Sequence, residues 1–482
     1  MLFNSLQFVL FFIVVTILYY TLDHRWRWKM LLAASCIFYM AFIPAYIFIL
    51  FTTILIDYFM AIMIARSTGR RRLIYLQISI VSTCLVLFIF KYCALFGMTV
   101  RELQALIGSA QDFPITHIIL PIGLSFHTFQ SLSYVIEVYR GKQEPERNFG
   151  IYSLYVMFYP QLVAGPIERP QNLLHQFYEE HRFELQNLSR GLALIAWGMF
   201  QKMVIADRGA VYVNAVYSGW QWQSGLSLLM ATLLFAVQIY ADFAGYSSIA
   251  IGCARVMGFH LSANFNHPYF STSFAEFWKR WHISLSTWFR DYVYIPLGGN
   301  RVSASRCYLN LLLTFMISGL WHGANWTFVI WGAYHGLLLI AEKIFTGMGW
   351  HYPGNMIGRI LRRSVVLLGI CIGWVLFRAE SLHAALSILR RIFTGTSLSI
   401  SSIGDAISQW AGDTSSIALA LAAILFIAVL FGIEARQESI AESRRAVYYS
   451  SLKYQFAATV ALFEAIMLFG SLRSAAFIYF QF

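Results

Sequence analysis

Long apolar runs separated by short polar loops make up most of this chain. Leu6–Leu22, Ile47–Ile64, Ile74–Phe96, Ile115–Val138, Gly191–Ile205, Leu226–Ile251, Trp326–Ile344, Ser364–Phe377, Ile417–Ile433 and Tyr454–Leu472 are the main examples. A bilayer's hydrocarbon core takes a helix of about 17–25 such residues. Basic loops follow every other run once the run that turns near Pro44 without charges is counted. His24-Arg25-Trp26-Arg27-Trp28-Lys29 comes after the first, Arg66 with Arg70, Arg71 and Arg72 after Ile64, and Arg140, Lys142 and Arg147 after Val138. Lysine and arginine in short loops stay on the cytoplasmic side. The pattern therefore predicts an all-α polytopic membrane protein of eleven or twelve spans, a single domain over residues 1–482, with both termini outside.

Two stretches break the pattern. From Ile151 to Gln186 the chain is apolar but carries Pro160, Gly165, Pro166 and Pro170. Prolines this close cannot continue one helix, and irregular backbone at membrane depth must be buried in protein or line a cavity. A re-entrant or interfacial segment is expected there. The second break organises the chain. Phe274 to Arg301 interleaves arginines with Phe277, Trp278, Trp281, Trp288 and Tyr292, a mixture suited to the membrane-water interface. An apolar run then starts near Leu309 and stops at Gly319-Leu320-Trp321-His322-Gly323, with Trp326 opening its partner. Farther on, LHAALSILRRIF has helical apolar spacing and is expected to lie in the outer interface.

Composition agrees: 59% of residues are hydrophobic and only 12% charged, against roughly 25% charged in soluble domains. The net charge of +12 raises nucleic acid as a partner. The basic residues, however, fall in short loops between apolar runs, so topology accounts for them and no nucleic acid is expected. The cysteines Cys36, Cys84, Cys93, Cys253, Cys307 and Cys371 are scattered, without CxxC pairs or histidines at ligand spacing, so neither a metal site nor a disulfide framework is read. The soluble-enzyme motifs, HExxH, GxSxG and the glycine-rich phosphate loop, are absent from the sequence.

Ionisable residues inside apolar runs are costly and carry the functional expectation. His322 lies about 13 residues past the basic loop, which at 1.5 Å per residue is on the order of 20 Å deep. Gly319 and Gly323 beside it permit a bend. On spacing alone His282, among the interfacial tryptophans, reads equally as a site residue or an interfacial packing residue, whereas His127 and His335 are read as packing residues. Asp242 and Glu137 are carboxylates within spans, expected to make structural polar contacts. Lys279, Arg280 and Arg290 are positive-inside anchors or phosphate ligands. A deep histidine without a metal, cofactor loop or neighbouring Ser or Cys nucleophile suits general-base chemistry, a neutral imidazole taking a proton from an attacking hydroxyl.

The stretches PIGLSFHTFQSLSYVIEVYRG, FYPQLVAGPIERP, YADFAGYSSIAIGCARVMGF, NFNHPY, FWKRWHISLSTWFRDYVYIPLGGNR, SGLWHGANWTFVIWG and FRAES reach from Pro121 to Ser381. In them the chain resembles the membrane-bound O-acyltransferase (MBOAT) family, in its bacterial branch of alginate O-acetylation proteins and cell-wall relatives. The resemblance implies a ring of tilted helices around a central funnel in the bacterial inner membrane. The family's invariant histidine corresponds to His322 and its second motif histidine to His282. It implies acyl transfer from cytosolic acetyl-CoA to an extracytoplasmic polysaccharide. Lys279, Arg280, Trp281, Trp321 and Asp242 are candidates for lining the donor side or tunnel. Extracytoplasmic acyltransferases of the SGNH type, or acetyl-carrier proteins, are the implied partners, besides membrane lipid. The tail Phe477-Ile478-Tyr479-Phe480-Gln481-Phe482 is similar to an aromatic motif of the related D-alanylation system, which makes Tyr479 a candidate acyl carrier and an aromatic membrane anchor its alternative. A D-alanyl donor, a proton-coupled transporter or flippase using His322 and Asp242, and a scaffold for periplasmic transferases stay open.

Overall fold

The computed structural model describes residues 1–106, 121–163, 165–349, 355–396, 399, 404, 414–440, 452–471 and 477–480. The first part of the expected Ile115–Val138 span, part of the charged segment after Ile433, and Gln481 and Phe482 of the tail lie outside the described residues. Regular structure among the described residues is helical. Tyr46–Arg66, Gly69–Arg101, Gly225–Val256, Trp326–Gly347 and Met356–Arg378 are long and apolar enough to cross a membrane; Leu6–Thr21 and Gln455–Phe469 are shorter apolar helices. The chain divides into two compact units interleaved in sequence. Met1–Ile195 with Ile249–Ser262 makes the first, and Ala196–Ser248 with Ala263–Phe482 the second.

In the first unit, Tyr46–Arg66 packs on Gly69–Leu87 and Leu124–Tyr139. These helices close around a carboxylate. Asp57 is fully buried and accepts hydrogen bonds from Ser79 at 2.5 Å, from Thr83 at 3.2 Å and from Ser131. The proline-rich stretch forms short helices, Phe149–Met157, Tyr159–Leu162 and Pro170–Leu173, then a turn of 3₁₀ helix at Leu174–Phe177. Its residues Ile151–Leu162 are buried throughout. Gly123 begins the Leu124–Tyr139 helix at φ +77°, where a Cβ would come 2.8 Å from the Leu162 carbonyl oxygen, so only glycine fits without displacing backbone. Glu137, near the end of that helix, pairs with Arg140 at 3.3 Å and accepts from Gln171 at 3.1 Å.

In the second unit, Ala304–His322 and Trp326–Gly347 form a tight helical hairpin. Glycines allow the close approach: a Cβ on Gly319 would stand 2.1 Å from the Phe328 carbonyl oxygen, and one on Gly332 2.2 Å from that of Phe315. Gly319 thus serves helix packing rather than the expected bend, and the chain reverses at Gly323-Ala324-Asn325. Asn325 caps the second helix by accepting from the Thr327 N–H at 3.0 Å. The first helix starts at Ala304, five residues before the apolar run, so its 19 residues rise about 28 Å. His322 is its last residue. The expected Gly191–Ile205 span continues without a break from Leu185–Met199 through a wider π-helical segment, Phe200–Ala206, into Asp207–Ser218. The LHAALSILRRIF stretch is helical over Leu382–Gly395, burying Ala384, Ala385 and Ile388.

Candidate active site

His322 projects from the end of its helix into a cluster of rings. Its imidazole centroid lies 5.0 Å from Trp321, 5.0 Å from Trp331, 5.4 Å from Phe377 and 5.5 Å from Tyr479. His322 is 5% exposed. Trp321, Trp331 and Phe377 meet the imidazole at steep interplanar angles, the favoured edge-to-face arrangement at 4.5–7 Å, and Tyr479 joins them at a tilt of 47°.

His282 reaches the same cluster by a different route. The helix Phe274–Arg280, capped by Ser273, ends at Trp281, and Ile283–Phe289 begins immediately after. The corner puts His282 at φ +42°, in the left-handed region that non-glycine residues seldom occupy. Local bonds hold it there: Ile283 N–H donates to the Asn264 carbonyl at 2.8 Å, Ser286 N–H to the His282 carbonyl at 2.9 Å, and Ser284 Oγ to the Asn264 side chain at 2.6 Å. Backbone strain of this kind persists where surrounding structure over-determines it and clusters at functional sites. The imidazole lies 4.5 Å from Phe243, 6.2 Å from Trp321 and 6.4 Å from Tyr479, measured between ring centroids. Tyr479 and Trp321 are thus both neighbours of the two histidines.

Other residues singled out from the sequence stand elsewhere. Trp321 stands between the two imidazoles. Trp281 is buried against Phe265, Phe277 and Trp374, one shell behind His282. Lys279 is exposed. Arg280 is taken up by carboxylates, donating to Glu276 at 2.6 Å and to both oxygens of Glu438 at 2.9 and 3.0 Å. Those bonds from Arg280 hold Glu438 below the usual carboxylate range. Asp242 does not touch either histidine. It pairs with the ammonium of Lys202 at 2.7 Å. His335 packs against Trp278, Trp331 and Tyr334, whereas His127 belongs to the first unit, where its Nε2 lies 3.4 Å from Thr53 Oγ1.

Sequence reading passed over Lys202 and Asp207, which form a buried ion pair at 2.8 Å, and Glu434, which accepts from Tyr240 at 2.5 Å. Lys202 carries a signal that identifies it, a charged residue within the Gly191–Ile205 apolar run. Phe243 and Phe377 carry none; an aromatic residue in an apolar helix looks the same whether it lines a site or faces lipid.

Composition and helices define a multi-pass membrane protein whose buried histidines sit in an aromatic pocket. Residues 146–382 match the family described as MBOAT, membrane-bound O-acyltransferase. The chain is 39% identical over 399 residues to the probable alginate O-acetylase of Pseudomonas aeruginosa, covering 82% of this chain and 75% of that protein. It is 32% identical over 425 residues to the peptidoglycan O-acetyltransferase of Helicobacter pylori, covering 81% and 79%. Against the teichoic acid D-alanyltransferase of Bacillus subtilis it is 27% identical over 286 residues, 56% of this chain and 71% of the relative. The chain belongs to the membrane-bound O-acyltransferase family and is an acyltransferase.

Proposed function

We propose that the protein moves acetyl groups from cytosolic acetyl-CoA across the bacterial inner membrane for O-acetylation of an extracytoplasmic polysaccharide: alginate, another exopolysaccharide or peptidoglycan. The observation that carries the reading is the meeting of His282, His322 and Tyr479 in one aromatic cluster. In this reading eleven or twelve tilted helices ring a funnel, both termini face outside, donor enters from the cytosol and acceptor from the other side. His322 is the general base. Its neutral imidazole takes the proton of the attacking hydroxyl as the new C–O bond forms, and the thioester C–S bond breaks to release the thiol of CoA, which leaves with that proton. Such proton transfer accelerates a reaction by about 10²–10⁴-fold. His282 lines or polarises the donor side, with Trp321 between them. Trp281 supports that wall from behind. Lys279 and Arg280, spent on solvent and on carboxylates, serve as anchors at the inner surface in this scheme.

Tyr479 is the nearest hydroxyl-bearing ring to His322 among the contacts described, and we take it as the first acyl acceptor, an aryl ester that an SGNH-type partner outside then discharges onto the polymer. The similarity to teichoic acid D-alanyltransferases favours one second reading, a D-alanyl group arriving on a carrier protein. Membranes supplied with radiolabelled acetyl-CoA, partner proteins and polymer separate these outcomes. Label in polymer is expected for acetyl transfer. Polymer that is labelled only when a radiolabelled D-alanyl carrier protein replaces acetyl-CoA would establish the second reading, and unchanged polymer acetylation in Tyr479→Phe would remove the tail from the pathway.

A further inference from the structure

The carboxyl-terminal tail does not simply rest against the histidines; it is held at two points. Phe469 and Gly470, where the Leu452–Phe469 helix ends, offer their carbonyls to the guanidinium of Arg208 at 3.0 and 3.1 Å. Ser471 N–H donates to the Met203 carbonyl at 3.0 Å. Farther along, the Ile478 N–H donates to Asp242 Oδ2 at 2.7 Å, and the other oxygen of Asp242 faces Lys202 Nζ at 2.7 Å. Lys202 in turn holds Asp207 at 2.8 Å, and all three side chains are at most 3% exposed. Phe477 is fully buried, 4.5 Å from Tyr246 and 5.5 Å from Phe243 between ring centroids, and Tyr479 follows with its ring 4.8 Å from Phe243.

Lys202 and Met203 sit in the π-helical segment Phe200–Ala206, with Arg208 just beyond it. π-helical segments are rare, occur mostly as bulges inside α-helices and are frequent at functional sites. A buried ion pair is weak evidence for stability, since an apolar replacement often does as well. What this pair supplies is an oriented acceptor: the ammonium faces one carboxylate oxygen of Asp242, and the other oxygen takes a backbone N–H one residue before Tyr479.

We propose that Lys202, Asp242 and Arg208 form a clasp that positions the carboxyl-terminal tail, so that Tyr479 is presented to His282 and His322. These are positioning residues; none of them touches the reacting groups. The proposal deepens the tail-carrier reading above, yet its geometry holds whatever Tyr479 does chemically.

The test places the photocrosslinking amino acid p-benzoylphenylalanine at Tyr479 in the full-length membrane protein and maps adducts by mass spectrometry. In the otherwise unaltered chain, adducts are expected on the Trp321-His322 and Phe243 peptides. Asp242→Ala, which removes both the pair and the tail's acceptor, is expected to lower their yield by about tenfold or more, the effect of losing one charge-assisted hydrogen bond. Asp242→Asn keeps an acceptor oxygen and should fall between the two. Asp207→Asn is the control for general loosening, because Asp207 meets Lys202 but not the tail; its adduct yield should stay near the unaltered value. Unchanged adducts in Asp242→Ala, or equal losses in Asp242→Ala and Asp207→Asn, would overturn the clasp. Acetyl transfer surviving in Asp242→Ala while the adducts vanish would uphold the clasp and remove the carrier role of Tyr479.

Discussion

Two buried carboxylates show how this chain uses ionisable groups in different ways. In the first unit, Asp57 is surrounded by hydroxyls. Ser79, Thr83 and Ser131 come from two neighbouring helices and donate to it, tying those helices together with no cation in the shell among the described residues. In the second unit, Asp242 faces an ammonium on one side and a backbone N–H of the chain's last stretch on the other. The first arrangement is closed: every partner is a side chain of the same helical packing. The second couples an interior charge to the segment that carries Tyr479. The difference teaches that burial and polarity alone do not mark a functional carboxylate; what its free lone pairs hold in place does.

Substitutions sharpen that contrast, the largest effect first. Lys202→Met strands Asp207 and Asp242 together without their cation, which should destabilise the detergent-solubilised protein by about 3–5 kcal/mol, read from its thermal or denaturant midpoint. Replacing all three residues with apolar ones of similar volume should restore most of the loss. If that triple variant also regained tail position, the contrast with Asp57 would collapse. Asp57→Ala leaves three hydroxyls without their acceptor and should lower stability by about 1–3 kcal/mol. Acetyl transfer per folded molecule should not change in Asp57→Ala, because none of its partners belongs to the histidine cluster; a fall in specific activity would contradict the closed reading.

The smallest effect is expected at the tether between Arg280 and Glu438. Glu438 has a folded pKa below the 4.5 of an unperturbed glutamate. The unfolded chain therefore binds its proton more readily, so the tether contributes fully above about pH 4.5 and fades as pH falls through the lower folded value. Partly exposed pairs contribute about 1 kcal/mol or less. Thermal midpoints measured between pH 6 and 3 should show a slightly shallower acid loss in Glu438→Gln than in the unaltered protein.

What could be read in advance follows from the range of the interactions involved. Apolar runs and the isolated histidine at Gly319-Leu320-Trp321-His322-Gly323 are local patterns, so the helices and His322 as a residue of interest were legible. The Gly319 bend was not, because the role of a glycine depends on what approaches it, here the Phe328 carbonyl of the partner helix. Arg280 reads as an anchor or a phosphate ligand from its neighbourhood alone, because Glu438, which occupies it, lies 158 residues away. The tail's return to Asp242 spans 236 residues and leaves no mark in either neighbourhood. Nor does sequence reveal that His282 adopts a left-handed backbone, since that strain is imposed by Asn264 and the corner between two short helices.

The central claim is that His322 activates the attacking hydroxyl. Its most direct test is the initial rate of labelled acetyl transfer in membranes carrying equal amounts of the unaltered protein or His322→Ala, with His282→Ala in parallel. Loss of about 10²-fold or more in His322→Ala, with the protein still folded and the tail adducts retained, is the predicted result. Transfer within a few-fold of the unaltered rate in His322→Ala would contradict it.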